Sequence, residues 1–95
     1  MAVFFMFGKY TPEARKEISA ERTQRAIETI KKLGGEVKAM HALLGPYDLL
    51  FCIGLPGIDD AIKASLALSD LTGTSFTTCP AVTIEAFDEL ASSAA

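Results

Sequence analysis

The sequence predicts an α+β fold in which two helices pack on one face of a four-stranded antiparallel sheet. Three observations predict it. Strand-like and helix-like segments alternate in the order βαββαβ, the two strands that this order places at the centre of the sheet are the most apolar, and two helices suffice for one face only. With 95 residues, the chain is expected to form a single domain, 1–95, of which 85–95 is a C-terminal tail.

The first strand is expected at residues 2–10, where almost every position is apolar, as in a strand that is covered on both faces. A short helical turn is expected over 12–18, because Thr11 can cap it. Ser19 offers a second cap, and a pair of glycines follows the next apolar stripe. These signals place the first main helix at about residues 20–33.

Two strand-like runs, 36–44 and 48–55, are separated by Gly45-Pro46-Tyr47 and therefore predict an antiparallel hairpin. The second run is apolar on both faces, whereas the first contains Lys38 and His41. This contrast favours a central position for the second run and an edge position for the first.

A second helix is expected at about 58–71 and a last strand at 74–84, in which Pro80 favours an edge position. Residues 91–95 are small and polar and are expected to be mobile. One side of the second helix is expected to carry Ala61, Ile62, Ser65, Leu68 and Ser69.

The predicted topology leaves one sheet face without helices, although apolar side chains of the central strands point to both faces. An exposed apolar patch of that size usually marks an interface. We therefore expect a ferredoxin-like domain that buries this open face against copies of itself, as a dimeric α+β barrel, at about 25 cal/mol per Å² of apolar area. The alternative is that the C-terminal segment folds over the face, but 85–90 is short for covering a whole sheet layer.

Composition excludes several classes of partner. The net charge of −3 and the scattered lysines and arginines argue against nucleic acid. No apolar run reaches the ~18 residues of a membrane span, and the first residues lack a basic leader, so a cytoplasmic location is expected. Two cysteines without a CxxC motif and a single histidine encode neither a disulfide framework nor a metal site, and no cofactor is indicated.

Several short stretches, in order along nearly the whole chain, resemble the GYD domain family of small uncharacterised proteins. They are Gly8-Lys9-Tyr10-Thr11-Pro12-Glu13, Ile18-Ser19-Ala20-Glu21-Arg22-Thr23, Lys31-Lys32-Leu33-Gly34-Gly35-Glu36-Val37, Gly45-Pro46-Tyr47-Asp48 and Gly73-Thr74-Ser75-Phe76-Thr77-Thr78. The resemblance implies membership of the dimeric α+β barrel superfamily. It implies no particular reaction, because the family has no assigned reaction.

Polar residues at strand ends and edges form the main candidate site: Tyr10, His41, Tyr47, Asp48, Thr77 and Thr78. Here His41 beside a carboxylate could act as a general base while a tyrosine holds a substrate oxygen, which makes His41, Tyr10 and Asp48 the catalytic candidates. The alternative, favoured for each, is structural: Tyr47 and Asp48 serve the turn, and His41 is a surface or interface residue.

Arg22 is a further ligand-binding candidate, because it lies near a helix start and could bind a carboxylate or phosphate. Pairing with Glu13 or Glu21 on a solvated face is the favoured alternative. The set of ligand-binding candidates is Tyr10, Arg22, His41, Tyr47, Thr77 and Thr78.

Three classes of function follow from these features. A homo-oligomeric module that binds or senses a small molecule ranks first, because no strong catalytic signature is present. A small cofactor-independent enzyme, of the oxygenase or isomerase type found in the superfamily, ranks second, so that enzymatic activity is left open. A purely structural self-assembling protein ranks third.

Overall fold

A computed structural model describes residues 1–94. It has the predicted α+β, ferredoxin-like architecture with a four-stranded antiparallel sheet, and it adds a fourth helix at the end of the chain. The elements are β1 (Ala2–Tyr10), α1 (Pro12–Lys16), α2 (Ala20–Lys32), β2 (Glu36–Ala42), β3 (Leu49–Leu55), α3 (Ile58–Thr72), β4 (Thr74–Ala81) and α4 (Ile84–Ala94).

The strand order is β2-β3-β1-β4, so β1 and β3 are central and β2 and β4 are the edges, as predicted. All three pairings are antiparallel, and Met6 lies opposite Phe51 on one side and Thr78 on the other. A register shift between Val37 and Ala39 interrupts the β2–β3 ladder.

The helix ends follow the capping signals of the sequence. The Thr11 hydroxyl accepts a hydrogen bond from Ala14 N at 3.0 Å, and the Ser19 hydroxyl accepts one from Arg22 N at the same distance. Gly73 ends α3 in the left-handed region, with a φ of +69°. These caps separate α1 from α2 and turn the chain from α3 into β4.

The core lies between the helices and one face of the sheet, which we call the helix face. Its members come from β1 and β3 on the sheet and from α2 and α3 above it. Met6, Ile30, Ile53, Leu55 and Leu68 have no exposed surface.

The opposite face, which we call the open face, carries apolar side chains of the same central strands. Val3, Phe5 and Phe7 alternate with the buried residues of β1 and are only half-buried. Leu50 and Cys52 hold the equivalent positions in β3. The hairpin covers one corner, because the Tyr47 ring packs on Phe7 with 5.1 Å between ring centroids.

The C-terminal segment expected as a tail at 85–95, with a mobile end at 91–95, is a helix as far as Ala94; Ala95 lies outside the described residues. A cap explains the helix, since the Thr83 hydroxyl accepts from Ala86 N at 3.1 Å. No residue of α4 is buried, and its apolar side chains are more than half exposed: Ile84, Phe87 and Leu90. The helix therefore does not bury itself on the open face of its own chain.

One side-chain assignment in α3 is corrected. Ile62 was expected on the same side as Leu68, but it is 57% exposed, and Ala64 is buried instead. The reason is geometric: the contact stripe of α3 follows residues 61, 64 and 68, and residue 62 lies about 100° around the helix from residue 61.

None of the helices within residues 1–94 is both long enough and apolar enough to cross a membrane.

Candidate ligand-binding site

A pocket of about 180 Å³ lies on the helix face, between the start of α2 and the ends of β1, β2 and β3. Its lining is mainly apolar, with a few polar groups converging on it, which is the usual character of a small-molecule site. The lining residues are Tyr10, Ile18, Arg22, Thr23, Ala26, Met40, His41, Ala42, Leu49, Phe51, Thr72 and Thr74. Three of the predicted ligand-binding residues, Tyr10, Arg22 and His41, are thus brought together.

Arg22 is the most unusual residue of this pocket, because it is a charged side chain that is only 9% exposed. Its Nη1 donates a hydrogen bond to the carbonyl oxygen of Ala14 at 2.6 Å, and its guanidinium carbon lies 5.8 Å from the centroid of the Tyr10 ring. Among residues 1–94 the ion pair present is Lys38 with Glu36, so no carboxylate neutralises Arg22.

The solvated ion pair with Glu13 or Glu21 that the sequence favoured for Arg22 is therefore wrong. A signal for its burial was present. Residues 22, 26 and 30 are the buried positions of α2, and this spacing of four places Arg22 on the same stripe as Ala26 and Ile30. Because arginine is charged, this position was not recognised as part of the buried stripe of α2.

Thr74 is a second polar residue of the pocket, and it was missed as a site residue. It is 1% exposed, and its hydroxyl oxygen has no hydrogen-bond partner within the described residues. A buried hydroxyl without a partner is costly. Nothing in the sequence marked it, because Thr74 is one of several threonines in β4.

His41 touches the rim of the pocket from the edge strand β2, and the residue is exposed. It lies opposite Leu50 in the ladder, while its neighbour Met40 lies opposite Phe51. Strand alternation therefore directs the His41 side chain towards the open face and Met40 towards the pocket.

Asp48 is not part of the pocket lining. Its carboxylate Oδ2 accepts a hydrogen bond from Tyr10 N at 2.8 Å, and its own N–H donates to Gly8 O at 2.8 Å. These hydrogen bonds connect the turn end of the β2–β3 hairpin to β1. Asp48 thus bonds backbone N–H as expected, but to a strand distant in sequence, and the structure does not join it to His41 and Tyr10 in one hydrogen-bonded group.

The remaining candidates lie elsewhere. Tyr47 packs on Phe7 at the open face, and Thr77 is exposed opposite Phe7. Thr78 faces α3, where Ser65 donates to the carbonyl oxygen of Ala61 at 2.9 Å, so that the Thr78 hydroxyl donates to Ser65 at 2.7 Å.

A second groove, of about 320 Å³, runs beside α3 and is lined by exposed apolar residues of that helix, by Phe4 and by Pro80. Its polar lining residues are Ser65 and Thr78, whose hydroxyls bond each other. The groove therefore offers a ligand no unpaired polar group, in contrast to the pocket of Arg22 and Thr74.

An antiparallel four-stranded sheet in the order β2-β3-β1-β4, with helices on one face, defines a ferredoxin-like α+β protein. Within that class, the chain belongs to the GYD domain family, whose model matches residues 4–91, and the resemblance found in the sequence is confirmed. No curated protein is significantly similar to it in sequence.

The fold is also similar to that in the crystal structure of the Mycobacterium tuberculosis leucine response regulatory protein, LrpA, with a TM-score of 0.58 and 6% sequence identity. The match covers 86% of this chain and 51% of LrpA, so the chain spans about half the length of that protein. At this identity the likeness shows the fold alone.

Proposed function

We propose that this protein is a homo-oligomeric module that binds a small molecule in the pocket between α2 and the sheet. The observation that carries the proposal is a buried arginine without a carboxylate partner in the lining of an apolar pocket, to which a second buried polar residue, Thr74, also contributes. Buried polar groups without partners are rare in folded proteins because they are costly. A ligand that bonds them would offset this cost.

The open face supports self-association as the second part of the proposal. Val3, Phe5 and Phe7 present an apolar row there, and a second copy offers the same row in a symmetric pair. The exposed apolar stripe of α4 gives a second surface for the same partner. The similarity of the fold to that of LrpA, a leucine response regulatory protein, supports a sensing role by analogy. The unpaired cysteines, Cys52 and Cys79, favour a cytoplasmic setting.

A ligand screen tests the binding function. The protein is titrated with a panel of small metabolites that differ in charge, and its backbone amide NMR signals are followed. We expect at least one compound to give saturable shifts centred on Arg22, Met40 and Thr74. Ala42→Phe, at the rim of the pocket, should weaken that response at least tenfold, whereas Ala20→Phe, at an exposed position of α2, should not. A panel that shifts none of the pocket signals at millimolar concentration contradicts the proposal.

A structural assembly protein is the second candidate, and α4 is the observation that favours it. A helix with no buried residue and three exposed large apolar side chains is suited to packing on another molecule. Oligomers larger than a dimer, combined with no response in the ligand screen, would favour this candidate. The enzyme alternative has less support, because His41 is exposed and Asp48 is engaged with the backbone of Tyr10.

A further inference from the structure

We propose that the α2 pocket binds a small organic carboxylate that carries no ammonium group. This inference rests on the proposed binding function and names the class of its ligand. Three features of the pocket carry it: the unneutralised charge of Arg22, the unpartnered hydroxyl of Thr74, and the absence of acidic residues from its lining.

The buried positive charge of Arg22 indicates an anionic ligand. Its guanidinium has five N–H donors, and the structure records one hydrogen bond from them, to the neutral carbonyl oxygen of Ala14. A buried cation is stable when an anion compensates for its lost hydration. The planar fork of a guanidinium matches the two oxygens of a carboxylate, so this group is its natural partner.

Thr74 is a second buried polar residue in the lining of the same pocket. It belongs to β4 and is 1% exposed, and its hydroxyl makes no hydrogen bond within residues 1–94. A hydroxyl is both a donor and an acceptor. The hydroxyl has almost no accessible surface, so a small local movement at Thr74 would be needed for a carboxylate oxygen, or a hydroxyl or carbonyl group next to it, to give this side chain the partner that it lacks.

The rest of the lining limits what the ligand can carry. Met40, Leu49 and Phe51 form an apolar wall suited to a hydrocarbon body. No Asp or Glu is among the lining residues, so the ammonium of an amino acid would be desolvated without a partner. Arg22 is the one cation of the lining, which suits a monoanion better than a phosphate dianion. A volume of about 180 Å³ fits a body of about benzene size, since a cavity of ~150 Å³ can hold benzene.

The test compares four probes on the full chain by NMR titration: hexanoate, hexanamide, norleucine and inorganic phosphate. Hexanamide replaces only the charged group, and norleucine adds only the ammonium. We expect hexanoate to bind with a dissociation constant at least tenfold below those of the other three, because hydrogen bonds to a charged group are stronger than those to a neutral one. Equal binding of hexanoate and hexanamide, or tighter binding of norleucine or phosphate, overturns the carboxylate assignment.

Two variants locate the charge that is responsible. Arg22→Met keeps an unbranched apolar stem but removes the guanidinium, and it should reduce hexanoate affinity at least tenfold without affecting hexanamide, while Arg25→Met, at an exposed arginine on the same helix, should change neither. Because Arg22 also bonds Ala14, Thr23→Glu provides a test that leaves Arg22 in place. Residue 23 lines the pocket, so the introduced carboxylate adds a negative charge there that repels hexanoate but not hexanamide, and it should cause the same selective loss. Undiminished hexanoate binding in Thr23→Glu overturns the assignment.

The failure of this inference and that of the proposed function are distinguishable. If neutral or cationic compounds of the metabolite panel bind in the pocket and hexanoate does not, the binding function stands and the carboxylate class falls. If neither the panel nor any of the four probes shifts the signals of Arg22, Met40 and Thr74, both fall.

Discussion

The two faces of the sheet are built from the same kinds of residue, but they differ in how far those residues are buried. Along β1, Phe4 and Met6 are 2% and 0% exposed beneath the helices, while Val3, Phe5 and Phe7 on the open face are only half-buried. Residue type does not distinguish the two sets. The difference arises because α2 and α3 cover only one face. An apolar strand therefore predicts burial, but it does not indicate which segment or molecule buries the strand.

The largest effect should come from placing a charge on each face at adjacent positions of β3. Ile53 has no exposed surface on the helix face, and its neighbour Cys52 is half-buried on the open face. Ile53→Asp should lower the free energy of unfolding by at least about 4 kcal/mol, most of the stability of a small domain. Cys52→Asp should leave a folded monomer. Circular dichroism during urea unfolding measures both, and equal losses in the two variants would contradict the distinction between the faces.

The second-largest expected effect is on self-association. Phe5→Glu places a charge in the middle of the open face and should raise the dissociation constant of the oligomer about 100-fold, equivalent to about 2.7 kcal/mol. The fold should persist, because Phe5 lies outside the buried core. Analytical ultracentrifugation measures the association, with Gln24→Glu on the exposed side of α2 as the control. A wild-type protein that is a monodisperse monomer at micromolar concentration would refute the role of the open face.

The sequence predicted the sheet well because the two kinds of strand differ in composition. Lys38 and His41 marked β2 as an edge, and Pro80 marked β4. It predicted the end of the chain poorly. The cap at Thr83 and the spacing of Ile84 and Phe87 were visible, but the small residues that follow suggested a tail. The apolar face of α4 is not buried by another segment of its own chain, so no complementary segment in the sequence indicated this helix.

The pocket could be predicted only in part. Tyr10 and His41 were expected in one group and Arg22 apart from it. The packing of α2 above β1 and β2 places Tyr10 and Arg22 in the lining of one pocket, with His41 at its rim. The solvated ion pair favoured for Arg22 was wrong, because arginine is usually exposed and its burial here depends on tertiary packing. The lack of a partner for Thr74 is likewise a property of the folded surroundings, which no local pattern of threonines reveals.

A smaller effect should separate two adjacent threonines of β4. Thr78 donates to Ser65 beneath α3, whereas Thr77 is exposed on the open face. Thr78→Val removes this bond and should cost about 1 kcal/mol of unfolding free energy, whereas Thr77→Val should cost less than about 0.5 kcal/mol. Chemical denaturation measures both. A larger loss for Thr77→Val would mean that the open face contributes to the fold of the monomer.

The smallest effect on the monomer should come from α4. Phe87 and Leu90 are 56% and 59% exposed, so replacing both by alanine in the monomeric Phe5→Glu background should change the unfolding free energy by less than about 0.5 kcal/mol.

In the wild-type background the same double replacement becomes a test of what α4 packs against. If α4 covers part of the open face of a second copy, the apolar area lost from that contact weakens association, and sedimentation at matched concentration should show more monomer. If the monomer fraction is unchanged, α4 takes no part in self-association and the open face must be covered by the sheet of the second copy alone. The two outcomes distinguish a contact between copies that joins two sheets from one that joins a sheet and a helix.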